Sequence, residues 1–420
     1  MFNNIFYTRI SVVFLVLFLI CFFDFAYLPA PLSLKNDQKL FYVLSFILIS
    51  GIGLYRQPMN VFSKRLNYLF ALLFAFAVVN CVSCYYFRHQ APWITFFHWS
   101  PVFLIYLYYP FRTLHFSVKS WETILFSLFI IEATVEIIQN LFPTFHFFTM
   151  TSGDEKFDRE LRVRVYGNAI LYIGSLFCLN KLLLSVDRKM FYEVLYLLSL
   201  ILMLFGGYRI VLFAILLSSL IMIYRIKKLS VKTFSILILL ILTGWILVGS
   251  SAIDSRINEI LDRNEVQNLE NDEYVRTITY NYYLTDYFKS PAEFVMGSGM
   301  VHRTFTKNND FAGKYESRYS REVSDASIRY HIFPIDWGLI GFSWEAGIPA
   351  ALVLVSIALM LIFTKNDDKY MYMSSWGIFV LIFSITNGRY YSHHNLIYTA
   401  ILLVICDKLC QVKKLKKLNK

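Results

Sequence analysis

Charged residues are scarce in this chain. Asp, Glu, Lys and Arg make up 16% of its 420 residues against 57% hydrophobic residues, and the mean hydropathy is +0.51. A soluble domain carries about 25% charged residues, so the balance excludes one. Alternation of polar and apolar residues is missing too. The apolar residues form continuous blocks, near the length of about 20 residues with which a helix crosses about 30 Å of hydrocarbon. In lipid only helices and closed barrels satisfy every backbone group. Barrel strands alternate, so continuous blocks leave helices alone.

Other absences narrow the chemistry. There is no P-loop, no dinucleotide-binding glycine fingerprint, no D-x-D nucleotide-sugar site and no G-x-S-x-G. No internal repeat and no low-complexity segment is evident. The six cysteines form no disulfide framework: Cys21, Cys178, Cys406 and Cys410 lie in or beside apolar runs, where a free Cys acts as a small hydrophobe. Cys81 and Cys84 read as two apolar residues on one helix face rather than a redox pair. No metal site is expected, since the adjacent His393 and His394 point apart on a helix. The net charge of +11 is spread over short connections, which argues against a nucleic-acid partner.

What is present is an all-α polytopic integral membrane protein with about twelve transmembrane helices and one large external loop. The spans fall at about 10–28, 40–55, 66–86, 93–110, 121–141, 165–184, 191–206, 208–224, 233–250, 337–363, 370–387 and 393–409. The first, with Arg9 before it and no small-residue cleavage site, reads as an uncleaved span rather than a signal peptide. The seventh and eighth are separated only by Gly206-Gly207-Tyr208. Residues 1–250 hold nine spans, 251–336 the loop, 337–410 three more spans and 411–420 a basic tail.

Lys and Arg in short connections set the orientation. Lys408, Lys413, Lys414, Lys416, Lys417 and Lys420 place the C-terminus in the cytoplasm, and an even span count puts the N-terminus there too. The connections holding Arg56, Lys64 and Arg65, then Arg112 and Lys119, then Lys181, Arg188 and Lys189, then Arg225, Lys227, Lys228 and Lys232 share that side. The stretch 251–336 is then external. In this topology the cytoplasmic side holds 15 Lys and 6 Arg and the outer side 6 Lys and 13 Arg, together the chain's 40 basic residues. Topology needs only positive charge. The planar Arg fork binds phosphate in bidentate fashion and stays charged in a partly dry site, so an outer face that prefers Arg points to an anionic ligand.

Four outer arginines sit at span ends: Arg162 and Arg164 before the sixth span, Arg209 opening the eighth, and Arg389 in NGRYYSHHN. Each either snorkels to the interface or serves a cavity. Asp24, Glu132, Glu136 and Glu345 lie within spans. Glu132 and Glu136 share a helix face, with pairing to an outer Arg as the structural expectation and a proton relay as the functional one. In the loop, Arg276 heads an expected helix ending at Pro291, followed by the turn Gly297-Ser298-Gly299. His331 and Asp336 stand at the lip of the tenth span, each able to take a proton from a hydroxyl. An N-cap is the structural role for Asp336.

In order, these residues resemble the motifs of the O-antigen polymerase and O-antigen ligase superfamily of bacterial envelope proteins. The likeness runs from about residue 162 to 350: Arg164 before Gly167 and Asn168, Arg209 opening a later span, Arg276 through Pro291 to Gly297 and Gly299, and the E-x-G-(ILV) segment Glu345-Ala346-Gly347-Ile348. In ligases a His-Asn pair stands nine residues before that Glu. Here Asp336-Trp337 occupies the position, and DWGLIG is closer to the polymerases, with His331 as a substitute that keeps the ligase as the alternative.

The resemblance implies a GT-C-like, metal-independent and cofactor-free glycosyltransferase on the external face of a bacterial inner membrane. Its donor and acceptor would be undecaprenyl-diphosphate-linked glycans of O-antigen, capsule or exopolysaccharide, with membrane lipid and a chain-length regulator as further partners. Arg164, Arg209, Arg276 and Arg389 would hold the diphosphate as its charge develops, and Asp336 or His331 would act as base. A transporter or flippase is the weaker alternative, because two related halves or broken helices are not evident in the sequence. An external-ligand scaffold or sensor is a further one.

Overall fold

A computed structural model describes residues 60–114, 116–141, 169–184, 188–205, 209–228, 288, 290–299, 338–364, 367–385 and 393–418. Every regular element among them is helical: α1 (Val61–Arg88), α2 (Pro92–His98), α3 (Ser100–Phe103), a 3-10 turn (Leu104–Leu107), α4 (Tyr108–Thr113), α5 (Val118–Leu141), α6 (Ala169–Leu184), α7 (Lys189–Phe205), α8 (Arg209–Lys227), α9 (Pro291–Met296), α10 (Gly338–Ala346), α11 (Ile348–Phe363), α12 (Met371–Ile385) and α13 (His393–Leu418). Three helical stretches, Val61–Arg88, Ile210–Lys227 and His394–Lys413, are long and apolar enough to cross a membrane. The 28 residues of α1 rise about 42 Å. The spans expected at 10–28, 40–55 and 233–250 lie outside the described residues.

Two expected spans are not single helices. The stretch 93–110 is broken into α2, α3, the 3-10 turn and α4, with Pro101 and Pro110 in its short pieces. The stretch 337–363 is interrupted at Gly347, with Pro349 in the first turn of α11. Helices are therefore broken at two places among the described residues.

Paired side chains sort the helix ends. Near the C-terminal half of α13, Asp407 accepts from Asn60 Nδ2 at 2.6 Å and pairs with Arg112 Nε at 2.7 Å. Lys408 donates to the Leu114 carbonyl, Lys413 pairs with Asp367, and Asn180 donates to the Asp368 carbonyl. Lys181 pairs with Glu122 at 3.4 Å, and Lys227 donates to the Leu183 carbonyl. These contacts gather the start of α1, the α4–α5 connection, the end of α6, the end of α8, the end of α11 and the tail at one end, here the tail end. The connections expected to share a side by their basic residues do share an end. It follows that α1 and α5 close, and α8 and α13 open, at the opposite end, where α9 also sits, against Arg88.

The core is built where α13 runs through the bundle. From Leu396 to Cys406 its apolar side chains are fully buried, against the 3-10 turn, α4, α5 and α6. Trp99, Trp121, Trp376, Tyr108, Tyr372 and Tyr398 fill the gaps between helices. By contrast α1 and α7 leave Tyr68, Val82, Val194 and Leu204 exposed, as lipid-facing surfaces do.

Candidate functional site

At the end opposite the tail, Gly347 and Pro349 leave a helix in need of hydrogen-bond donors. In an unbroken helix the Glu345 carbonyl would accept from the residue four positions on. That residue is Pro349, which has no N–H. The missing donors come from the turn that follows α9. Ser298 N–H donates to the Trp344 carbonyl at 3.0 Å, and Gly299 N–H donates to the Glu345 carbonyl at 2.9 Å. The Ser298 hydroxyl adds a second bond to Trp344 O at 3.2 Å across a separation of 46 residues. In lipid an unsatisfied backbone group costs several kcal/mol, so the G-S-G turn and the E-A-G break complete one another.

The fit is close enough to require glycine. Gly297, Gly299 and Gly347 have φ of 82°, 95° and 95°, in the region that side chains disfavour. A Cβ at Gly297 would meet the Gly347 backbone, and one at Gly347 would meet Met296 O. A Cβ at Gly299 would overlap Cys84.

The third wall is α1. Asn80 Nδ2 donates to the Glu345 carbonyl at 2.7 Å, and Asn80 Oδ1 accepts from Trp99 Nε1 at 3.0 Å. Ser83 donates to the Gly297 carbonyl at 2.9 Å. One turn further, Arg88 pairs with Glu293 of α9 at 2.6 Å, with both side chains withdrawn from solvent. Asn80, Ser83, Cys84 and Arg88 thus present one helical face to the returning segment. Cys81 and Cys84 are free, buried thiols on α1, as their spacing suggests.

The helix expected to run from Arg276 to Pro291 lies almost wholly outside the described residues. Pro291 itself opens α9, its missing N–H harmless in the first turn, with Ser290 capping the Glu293 N–H at 3.2 Å.

Of the expected site residues, Arg209 is the first residue of α8, at the end where α9 sits. Arg164, Arg276, His331, Asp336 and Arg389 lie outside the described residues, as do Arg162 and Asp24. The helices that flank them are described: α10 leads into the junction, α13 opens at that end of the bundle and α12 closes there. Glu345 contributes its backbone carbonyl to the junction. Glu132 is fully buried, and among the described residues neither carboxylate oxygen has a hydrogen-bond partner; the outer arginines Arg162, Arg164 and Arg389, expected to pair with the acids in the spans, lie outside the described residues. Glu136, one turn away, is also buried, and the Tyr398 ring of α13 lies close to Glu132. Among the described residues no group of His, Cys, Asp and Glu is arranged to hold a metal ion.

Sequence reasoning missed Asn80, Ser83, Arg88, Trp99 and Glu293. A signal existed for the first three: they are polar residues three to five apart near the end of an otherwise apolar run, and polar groups in a span mark contacts with protein. Glu293 gave none, because it lies in a stretch already rich in charge.

No model of a known protein family matches the chain, and no curated protein matches it.

Proposed function

We propose that the protein polymerises lipid-linked oligosaccharide repeat units, transferring a growing glycan from an undecaprenyl diphosphate carrier to an incoming lipid-linked unit at the external membrane face. The observation that carries this reading is the junction of the G-S-G turn with the E-A-G break. Two short motifs on either side of residues 300–337 are built as one unit, which supports a reading in which the chain between them works at the end of the bundle where α8 and α13 open. A lipid-linked diphosphate is held at the membrane interface, and arginines there neutralise the leaving group as the glycosidic carbon–oxygen bond breaks. Arg164, Arg209, Arg276 and Arg389 are assigned to it. Asp336 or His331 accepts the proton of the attacking sugar hydroxyl. No metal and no cofactor enters this scheme.

The break at Gly347 might be taken for the discontinuous helix of a transporter. Transporters leave such carbonyls for a substrate ion, whereas here Ser298, Gly299 and Asn80 already occupy those of Trp344 and Glu345.

The test is the surface glycan of a clean deletion strain complemented with single variants. Single-repeat surface glycan in the deletion strain supports the polymerase; full-length glycan left on the carrier shows a ligase. Arg209→Ala and Arg276→Ala are expected to abolish chain lengthening with the protein still in the membrane, and Lys at either position to rescue poorly, because it loses the fork. Near-normal glycan ladders from both Ala variants overturn the diphosphate assignment.

A further inference from the structure

Between α1 and α11, at the tail end, lies a groove of about 470 Å³ lined by Lys64, Arg65, Tyr68, Leu69, Ser356 and Met360. Its residues are set by helical spacing: Lys64 to Tyr68 and Arg65 to Leu69 are one turn apart on α1, and Ser356 to Met360 one turn apart on α11. Met360 is one turn from the end of α11 and Lys64 one turn from the Asn60 cap of α1, so the basic pair lies nearest the tail end, with Tyr68, Leu69 and Ser356 one turn further from it along an open, shallow groove. Lys64 and Arg65 are exposed and have no acidic partner among the described residues, although acids elsewhere at that end are paired: Glu122 with Lys181, Asp367 with Lys413 and Asp407 with Arg112. The Ser356 hydroxyl is turned onto its own helix, donating to the Leu352 carbonyl at 2.8 Å. The groove therefore offers apolar walls, one aromatic ring at the interface and two uncompensated positive charges.

We infer that this groove is a binding site for an anionic phospholipid. The headgroup phosphate takes the Lys64 ammonium and the Arg65 guanidinium, which binds phosphate as a fork. One acyl chain lies along Leu69 and Met360, and the Tyr68 ring sits at headgroup level, where amphipathic aromatic residues are favoured. Charge complementarity selects the occupant, because a zwitterionic headgroup offers no net charge to the basic pair. The inference does not depend on the proposed activity.

The test is native mass spectrometry of the full chain with phosphatidylglycerol and, separately, phosphatidylcholine. The wild type is expected to retain phosphatidylglycerol in preference. With about 1 kcal/mol for each basic residue near the surface, the Lys64→Gln/Arg65→Gln double variant is expected to bind it about 30-fold more weakly. Ser356→Trp fills the groove with both charges intact and is expected to lower retention as well. Lys119→Gln/Lys189→Gln removes two exposed charges at the same end but outside the groove, and is expected to leave retention unchanged. Equal retention of the two lipids by the wild type overturns the inference, as does unchanged binding in the groove variants. A loss in the Lys64/Arg65 variant without one in Ser356→Trp also overturns it, by assigning the effect to surface charge alone, and so does an equal loss in the control.

Discussion

Asn80 donates a 2.7 Å hydrogen bond to the backbone carbonyl of Glu345, at the point where Pro349 has removed the helix's own donor. The same amide accepts from Trp99, so a single side chain ties α1 and α2 to the break between α10 and α11. Replacing it by Leu leaves Trp99 Nε1 unpaired in a fully buried ring. Asn80→Leu is expected to destabilise by about 1–3 kcal/mol, read as a lower melting temperature of the purified protein. An unchanged melting temperature would show that the bond adds nothing.

Gly299 combines a left-handed φ with contact against Cys84. Gly299→Ala is expected to cost at least about 2 kcal/mol from backbone strain and overpacking together. Adding Cys84→Gly removes the Cβ and Sγ overlap but neither the 2.9 Å approach to the Cα of residue 84 nor the strain, so the double variant is expected to recover part of the loss. Full recovery would mean that φ does not matter at this position.

The ion pair between Arg88 and Glu293 is buried on both sides. Removing one partner breaks a buried charge pair, at about 3–5 kcal/mol. Arg88→Met with Glu293→Met is accordingly expected to be more stable than either single variant. A double-mutant cycle by thermal unfolding checks this, and additive losses would rule the coupling out.

At the tail end Asp407 accepts from Asn60 and Arg112 through different oxygens. Asp407→Ala removes the carboxylate that pairs with the buried Arg112 and is expected to cost about 3–5 kcal/mol. Asp407→Asn keeps the shape and one acceptor, and is expected to cost less. Equal losses in urea unfolding would assign the effect to packing rather than charge.

Among the described residues Glu132 has no hydrogen-bond partner to lose. Burying a polar group without a hydrogen bond costs free energy, so Glu132→Met is expected to hold or raise the melting temperature. If glycan lengthening falls while stability rises, the carboxyl is retained for activity. A marked loss of stability would show that it is structural after all.

Much of the bundle was legible because hydropathy is a local property. The runs at 66–86, 121–141, 370–387 and 393–409 each coincide with a helix, within a few residues except where α13 continues into the basic tail. The shared end of the basic connections was legible for the same reason, since each crossing of the bundle reverses the chain. The interruptions were harder to read. In 93–110 the prolines were visible, but whether a helix absorbs a proline or breaks there depends on which neighbour supplies the missing donor. The site was legible as motifs and not as contacts: G-S-G and E-A-G stood out in the chain, yet nothing local said that they would meet.

The sequence by itself determined that this chain is helical and membrane-spanning, because scarce charge and long apolar runs leave the backbone no other way to satisfy itself in lipid. Pro349 marks a failure of the helix ladder through its missing N–H, although the run 337–363 reads locally as one unbroken span. Only the tertiary structure decided what repairs that failure. Trp344 and Glu345 need donors, and Ser298, Gly299 and Asn80 supply them from two other parts of the chain. Partners so far apart in sequence are chosen by packing, which no local pattern encodes.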